Sequence, residues 1–411
     1  MNILFCNKFF YAKGGAEVSM FETARILEKK GHNLAYFSMH HPSNVATPFS
    51  KYFVSNVDFN GGSWTGNIRA AGRILYSFEA RRQIRKLLHE HAIDVVHLNN
   101  IYHQISPSIL HEIRKKNIPI VMSLRDYKLV CPNQVLFSNG GPCDACRGGR
   151  YYNAIFQRCH KDSYLKSALV ALEMTLHHRL MHIYDSVNVF IATSRFLKDK
   201  ITEMGFKGEI VVLPNFVNIE DYPPPSYALN GSHAVYFGRL SHEKGLMTLC
   251  DAVKGLDLTL HFIGNGPQKQ ALMQKVGREE ISNIKFWGHQ PKDRLMEMVS
   301  KATFVVLPSE WHETFGRTAL EAFAMGKPVV GARMGGIPEL VKDGETGVTF
   351  EPGNADDLRK SMQTLLNAGE EIIRIGRRAR ELVERELDAE KHYDGLMKIY
   401  RKTLADKGMH Q

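Results

Sequence analysis

Short apolar runs alternate with longer segments of helical periodicity along almost the whole chain. The runs lie at residues 2–7, 33–39, 94–98, 119–124 and 187–193, and again at 234–238, 258–263, 284–287, 303–307 and 328–331. Runs this short and this continuously apolar fit strands buried on both faces of a parallel sheet. The segments between them are long enough to hold a crossover helix. Two successive series of such units predict an α/β chain with two doubly wound, Rossmann-like domains facing a central cleft. The polar stretch 218–232, with Pro223, Pro224 and Pro225 in succession, suits neither a helix nor a central strand. It sets the expected boundary between a first domain over residues 1–217 and a second over 218–387. A ligand of such a pair binds where the carboxyl ends of the strands meet the cleft.

The candidate chemistry lies at those strand ends. Glu313 and Glu321 stand eight positions apart, just after the run that ends before Pro308. A helix beginning near Gly316 holds Glu321 inside it and leaves Glu313 and Thr314 in the preceding loop. The backbone N–H groups of Phe315, Gly316 and Arg317 are then free to meet an anion. Such a path can cradle a sugar joined to a phosphate. Arg239 and Lys244, five positions apart in a glycine-flanked loop, suit two contacts on a diphosphate. Gly264, Asn265 and Gly266 form a turn after the next run, and Trp287 with His289 follows the third, where a ring or exposed backbone can meet a nucleobase. In the first half, Gly14 and Gly15 open a helix behind the first strand, His97 ends a strand with His103 just beyond, and Arg125 with Asp126 ends another. The two histidines are candidates for the acceptor side, and Arg125 with Asp126 for orienting a sugar hydroxyl. Packed histidines, an ion pair holding the loop and ordinary surface glutamates are the structural alternatives.

At 411 residues the chain is long enough for two or three domains, each with its own core. No apolar run approaches the roughly 18 residues of a membrane-crossing helix. The chain opens on a strand pattern and not on a signal peptide, so a cytoplasmic location is expected. The net charge of +10 is uneven: residues 1–215 carry 27 Lys and Arg against 16 Asp and Glu, and the remainder 26 against 27. That asymmetry suggests a negatively charged partner for the first half: nucleic acid, an anionic membrane surface or a phosphorylated small molecule.

Taken in order, Gly14 and Gly15, Arg239 with Lys244, the turn 264–267, the loop 308–316 and Glu321 resemble the retaining glycosyltransferases of family four, whose fold is called GT-B. The resemblance spans nearly the full chain. It implies a nucleotide-diphosphate-sugar donor held mainly by the second domain, with Arg239 and Lys244 on the phosphates, Glu313 on the sugar hydroxyls and Glu321 on the ribose. Phe315 and Gly316 add backbone donors. A glycan or lipid-linked glycan acceptor, as in polysaccharide or lipopolysaccharide assembly, enters from the first domain. No catalytic metal is implied, because the two cations and the helix N-terminus can stabilise the departing diphosphate. Members of the family often carry a histidine where Arg125 stands, so no histidine role is carried over there, and Arg125 is expected to grip an anionic group of the acceptor. The resemblance also implies that the closing helix, about 388–411, crosses back to complete the first domain.

Two features stand apart. Cys131, Cys143, Cys146 and Cys159 cluster in an insert, about 131–160, that has little helical or strand pattern, and four thiolates at this spacing suit a structural zinc ion. Cys6 and Cys250 read as core residues. The stretch 67–91 places Arg69, Arg73, Arg81, Arg82, Arg85 and Lys86 around apolar positions, the pattern of a basic helix lying on an anionic membrane. A protein peripheral to the inner face of a membrane is therefore expected. Two rivals are a nucleotide-sugar epimerase on the same architecture and a zinc-stapled nucleic-acid-binding protein. The second requires aromatics interleaved with cations on one surface, and only Tyr151 and Tyr152 beside Arg150 fit, so no nucleic-acid partner is expected.

Overall fold

The computed structural model describes residues 1–56, 71–227 and 231–408. Its first domain is built on β1 (Asn2–Cys6), β2 (Asn33–Phe37), β3 (Val95–Leu98) and β4 (Ile120–Leu124), a two-residue-per-strand hairpin β5 (Phe137–Ser138) and β6 (Gly141–Pro142) in the insert, and then β7 (Val189–Ala192) and β8 (Ile210–Val212). Outside the hairpin all strands are parallel, in the order β2-β1-β3-β4-β7-β8. The second domain carries β9 (His233–Phe237), β10 (Thr259–Ile263), β11 (Ile284–Gly288), β12 (Phe304–Leu307), β13 (Val329–Ala332) and β14 (Gly347–Phe350). These are also parallel, in the order β11-β10-β9-β12-β13-β14. The order reverses at β1/β3 and at β9/β12, and a crevice opens beyond the strand ends at such points.

Each apolar run of the sequence is a strand. The pattern did not reveal β8 and β14, and both are edge strands of three or four residues with half-exposed positions. β8 has only three residues and β14 is interrupted by Gly347 and Thr349, so neither stands out as an apolar run, whereas the other two edge strands, β2 and β11, do.

The last helix, Ala389–Ala405, belongs to the first domain's core. Asp388 accepts the N–H of Lys391 at 2.8 Å and caps it. Its Leu396, Met397, Tyr400 and Leu404 pack with Ile3, Phe5, Val95, Val121 and Ile191 on one face of the first sheet. Beneath them His97 corrects the expectation placed on it. It is 2 % exposed. Its ring stacks on Phe5 at 5.0 Å and is hydrogen-bonded to the Tyr400 hydroxyl at 2.5 Å and to Ser123 Oγ at 2.8 Å. Burial, with Arg125 and His392 nearby, pushes its pKa down to about 3, so the ring is neutral. With both nitrogens occupied inside the core, His97 does not face the acceptor side.

The basic stretch also folds differently from the membrane-lying helix expected. Its helix is Phe78–Glu90, capped by Ser77, which accepts the N–H of Ala80 at 3.1 Å. Ala80, Ile84, Leu87 and Leu88 are buried in the first domain. Arg81 and Arg85 both pair with the buried Glu112, the latter at 2.8 Å, and Arg73 is buried against Glu79 at 3.3 Å. Arg73 and Arg81 are thus spent inside the domain, whereas Arg82, Arg85 and Lys86 stay exposed. Residues 67–70, Arg69 among them, lie outside the described residues. Among the described residues no helix is long and apolar enough to cross a membrane.

Tyr400→Phe keeps the ring and strands a nitrogen of buried His97. The expected loss is about 1–3 kcal/mol of unfolding free energy, the range for an orphaned buried polar group. It should be read as a lower denaturant midpoint at unchanged slope.

Candidate functional site

The two carboxylates of the second domain are placed by backbone contacts that only glycine allows. After the single turn His242–Lys244 the chain reverses at Gly245, whose φ is +65°. A Cβ there would lie 1.9 Å from the Pro308 carbonyl oxygen. The bare glycine lets this turn press against the loop after β12 and brings Lys244 Nζ into an ion pair with Glu313 Oε1. Ser309 Oγ donates to the same oxygen at 2.6 Å. Burial alone would raise the Glu313 pKa, but Lys244 and Ser309 outweigh it and hold the carboxyl below its ordinary value. Glu313 is therefore a buried, ionised acceptor of hydrogen bonds.

Glu321 sits within the helix Arg317–Ala324, for which Gly316, at φ +102°, is the N-cap. Its carboxylate accepts from Arg317 Nε at 2.7 Å. The other guanidinium nitrogens of Arg317 reach across the cleft to the helix Gly15–Lys29, at 2.7 Å from Glu22 and 2.9 Å from Ser19 Oγ. Burial raises the Glu321 carboxyl above its ordinary value in spite of Arg317. The sequence reading passed over the Arg317 side chain and Glu22. The i,i+4 spacing of Arg317 and Glu321 was the available signal.

Gly14 is the N-cap of the helix Gly15–Lys29, and a Cβ on Gly15 would stand 3.3 Å from Arg317 Cδ. The N-termini of two helices, one from each domain, thus converge on one space, and their dipoles both favour an anion there. Burial, Lys8 and Arg239 push the Lys13 ammonium below its ordinary value against the pull of Glu17, and Lys13 Nζ lies 3.7 Å from the centre of the Phe9 ring. Arg239 is exposed and makes no ion pair among the described residues. Asn265 and His289 are exposed on the second-domain rim, and the Gly264 N–H donates to the Gly288 carbonyl at 2.7 Å. Trp287 is 40 % exposed, with its indole N–H on His261 Nδ1 at 2.9 Å, so it is not a core residue.

The loop 308–316 is clasped by the first domain. Thr193 Oγ1 and Ser194 Oγ donate to the Thr314 carbonyl at 3.0 and 2.7 Å, and the Tyr127 hydroxyl donates to the His312 carbonyl at 2.9 Å. Phe315 is buried in the second core. Arg125 and Asp126 do not pair with each other. Arg125 Nη1 donates to Asn215 in the interdomain segment, while its Nε is buried without a partner. Asp126 accepts the Lys128 N–H at 2.9 Å, and burial raises its pKa against the pull of Lys8, Lys128 and His103. His103, half-buried, pairs with Glu173 at 3.1 Å. Asp126 and His103 therefore share one charged corner, and Arg125 is turned toward the segment joining the domains.

Cys131, Cys143, Cys146 and Cys159 line one cavity of about 10 Å³, room for about one water or ion. All four are free thiols, and Cys143 Sγ lies 3.3 Å from Gln157 Oε1. No group of three or more His, Cys, Asp or Glu side chains among the described residues is already arranged to hold a metal ion. Cys6 and Cys250 are fully buried in the two cores.

Comparison with known proteins agrees with this geometry. The family "Glycosyltransferase Family 4" matches residues 13–221 and "Glycosyl transferases group 1" matches residues 228–382. An uncharacterized 42.6 kDa protein in cps region of Klebsiella pneumoniae is 28 % identical over 356 residues, covering 83 % of this chain and 87 % of that protein. An uncharacterized glycosyltransferase of Methanocaldococcus jannaschii is 29 % identical over 237 residues, covering 57 % of this chain and 66 % of that one. An Anabaena protein crystallised with UDP and glucose superposes with a TM-score of 0.70 at 18 % identity, covering 98 % of this chain and all of that one. The chain belongs to glycosyltransferase family 4 and has the two-domain GT-B fold.

Proposed function

We propose that this glycosyltransferase moves a hexose from a nucleotide-diphosphate-sugar to a glycan or lipid-linked glycan with retention of anomeric configuration, in polysaccharide assembly at the inner face of a membrane. The observation that carries the reading is the approach of two helix N-termini, one from each domain, with Glu321 inside one of those helices and Glu313, held by Lys244, in the loop before it; Lys13, Arg239 and Lys244 are the cations assigned to the diphosphate. A diphosphate there meets two dipoles and several cations. Charge that develops on it as the glycosidic bond breaks is stabilised by groups already in place. Glu313, buried and ionised, accepts hydrogen bonds from sugar hydroxyls beside that bond, and it orients without attacking. Glu321 takes the ribose. The acceptor hydroxyl approaches from the corner of Asp126 and His103 on the same face as the departing phosphate, whose oxygen receives its proton. The Anabaena neighbour's UDP supports a uridine nucleotide, and the Klebsiella relative's cps region supports a polysaccharide product.

A structural zinc ion on the four thiols of the insert belongs to the same proposal. Gln134, Leu136, Asn139, Arg158, Lys161 and Asp162 all have positive φ, six of the eleven such non-glycine residues described. Backbone held that far from its preferred basins needs a tether, and a tetrahedral thiolate site supplies one.

Three measurements test this reading. Incubation with UDP-hexoses and a glycan acceptor should consume donor only when acceptor is present, and the product's anomeric coupling should match the donor's. Consumption without acceptor, or an inverted product, overturns the corresponding part. Glu321→Ala should weaken donor binding by about 10- to 100-fold, the worth of a hydrogen bond to a charged group, whereas Glu313→Gln should leave binding near wild type and lower kcat. Metal analysis of the purified protein should find about one zinc per chain, and its absence removes the zinc site.

A further inference from the structure

Six of the ten exposed large apolar side chains among the described residues lie between residues 152 and 180, whereas Val45, Phe78, Met273 and Trp287 stand singly elsewhere. Leu165 is 85 % exposed, Phe156 73 %, Leu180 70 % and Tyr164 60 %. The helix Tyr164–Thr175, continued by the wider turn Leu176–Leu180, presents Leu165, Leu169, Leu172, Leu176 and Leu180 at intervals of three or four residues. That spacing is one face of a helix, and each of these leucines is exposed or half-buried. The opposite face, with Ser167, Val170, Ala171, Glu173 and Met174, is buried. A contiguous apolar stripe of this kind on a folded domain marks a surface that meets something.

The charges around the stripe select the occupant. Exposed Arg158, Lys166 and Arg179 lie in or beside the same segment, Arg158 over the Tyr164 ring and paired with Asp162 at 3.3 Å. Between residues 145 and 182 the acids are Asp162 and Glu173, and Glu173 is buried and paired with Lys128 at 2.8 Å. A second copy docking about a two-fold axis would set these cations against their own images. An anionic bilayer accepts both features: leucines enter the acyl boundary, cations meet headgroups, and Tyr152, Phe156 and Tyr164 suit the interface between them. We infer that this stripe, and not the basic helix Phe78–Glu90, is the surface by which the protein lies on an anionic membrane.

The position of the helix gives the surface a purpose. Glu173 on its buried face binds His103 and Lys128, which surround Asp126 at the acceptor corner of the cleft. One helix thickness separates the leucines from that corner, so a lipid-linked acceptor held in the bilayer lies near the cleft. This purpose rests on the acceptor reading above, but the membrane contact does not.

The test is vesicle flotation of the full chain. Wild type should float with phosphatidylcholine vesicles containing about 30 % phosphatidylglycerol and far less with phosphatidylcholine alone. The exposed-residue variant Leu165→Ser/Leu172→Ser/Leu180→Ser should lose flotation by about tenfold or more, with an unchanged thermal melt. Arg82→Ser/Lys86→Ser, on the basic helix, should float as wild type. Failure of wild type to float, an undiminished leucine variant, or a dimer that this variant converts to monomer would each overturn the inference. Flotation by a protein that transfers no sugar would leave the surface standing and remove the catalytic reading instead.

Discussion

Arg317 is the residue on which the arrangement of the two domains turns. Its guanidinium, 16 % exposed, binds Glu22 of the first domain and Glu321 of the second. Charges that far from water are tolerable only when every partner is present, and removing one leaves the others uncompensated. Without Arg317, two carboxylates would face each other across the cleft at the point where two helix N-termini meet. With it, the N-termini are held close enough to act on one ligand. It also sets the direction of Glu321, because a carboxylate that accepts from Arg317 Nε has its remaining lone pairs turned elsewhere. Under the proposed function, a ribose on Glu321 would find a carboxylate whose rotamer is already chosen.

The basic excess of the first half is divided into two populations by the fold. One is consumed inside the domain, as with Arg81 on Glu112 and Lys128 on Glu173. The other stays exposed, as with Lys166 and Arg179 beside the leucine stripe. Counting charges along the chain cannot separate these populations, because the neutralising acids are distant in sequence. That is why the basic stretch reads as a membrane helix when its apolar face packs in the core and two of its cations, Arg81 and Arg85, bind Glu112, about thirty residues away.

Distance in sequence between partners also decides which parts of the fold and site were legible. Central strands advertise themselves as unbroken apolar runs, since both their faces are covered, and so the two-sheet architecture could be read directly. The loop from Glu313 to Glu321 could be read because its chemistry is local, with a strand end, a glycine N-cap and a carboxylate within a few residues. His97 could not. A histidine at a strand end looks the same whether it faces a cleft or a helix that arrives three hundred residues later, and here Tyr400 decides. Arg125 is similar, since its partner Asn215 lies in the segment joining the domains. The leucine stripe was hidden for another reason: a helix apolar on one face and small or polar on the other gives the same periodicity whichever face is buried.

The Lys128–Glu173 pair decides that last question for the helix Tyr164–Thr175. Both side chains are almost completely buried, and Glu173 Oε1 has no hydrogen-bond partner. A buried pair with an unsatisfied oxygen is a poor source of stability, because desolvation cancels much of the attraction. Its effect is on orientation. If the helix rotated to bury its leucines, which apolar burial alone would favour, Glu173 would leave Lys128 and His103, and a lysine 1 % exposed would be left without its counter-ion. Val170, Ala171 and Met174 would leave the core as the leucines entered it, so the apolar gain is largely cancelled and the broken ion pair, worth about 3–5 kcal/mol, tips the balance. The ion pair beside Asp126 therefore helps hold the apolar face outward, and cleft electrostatics and exposed surface are two consequences of one helix rotation.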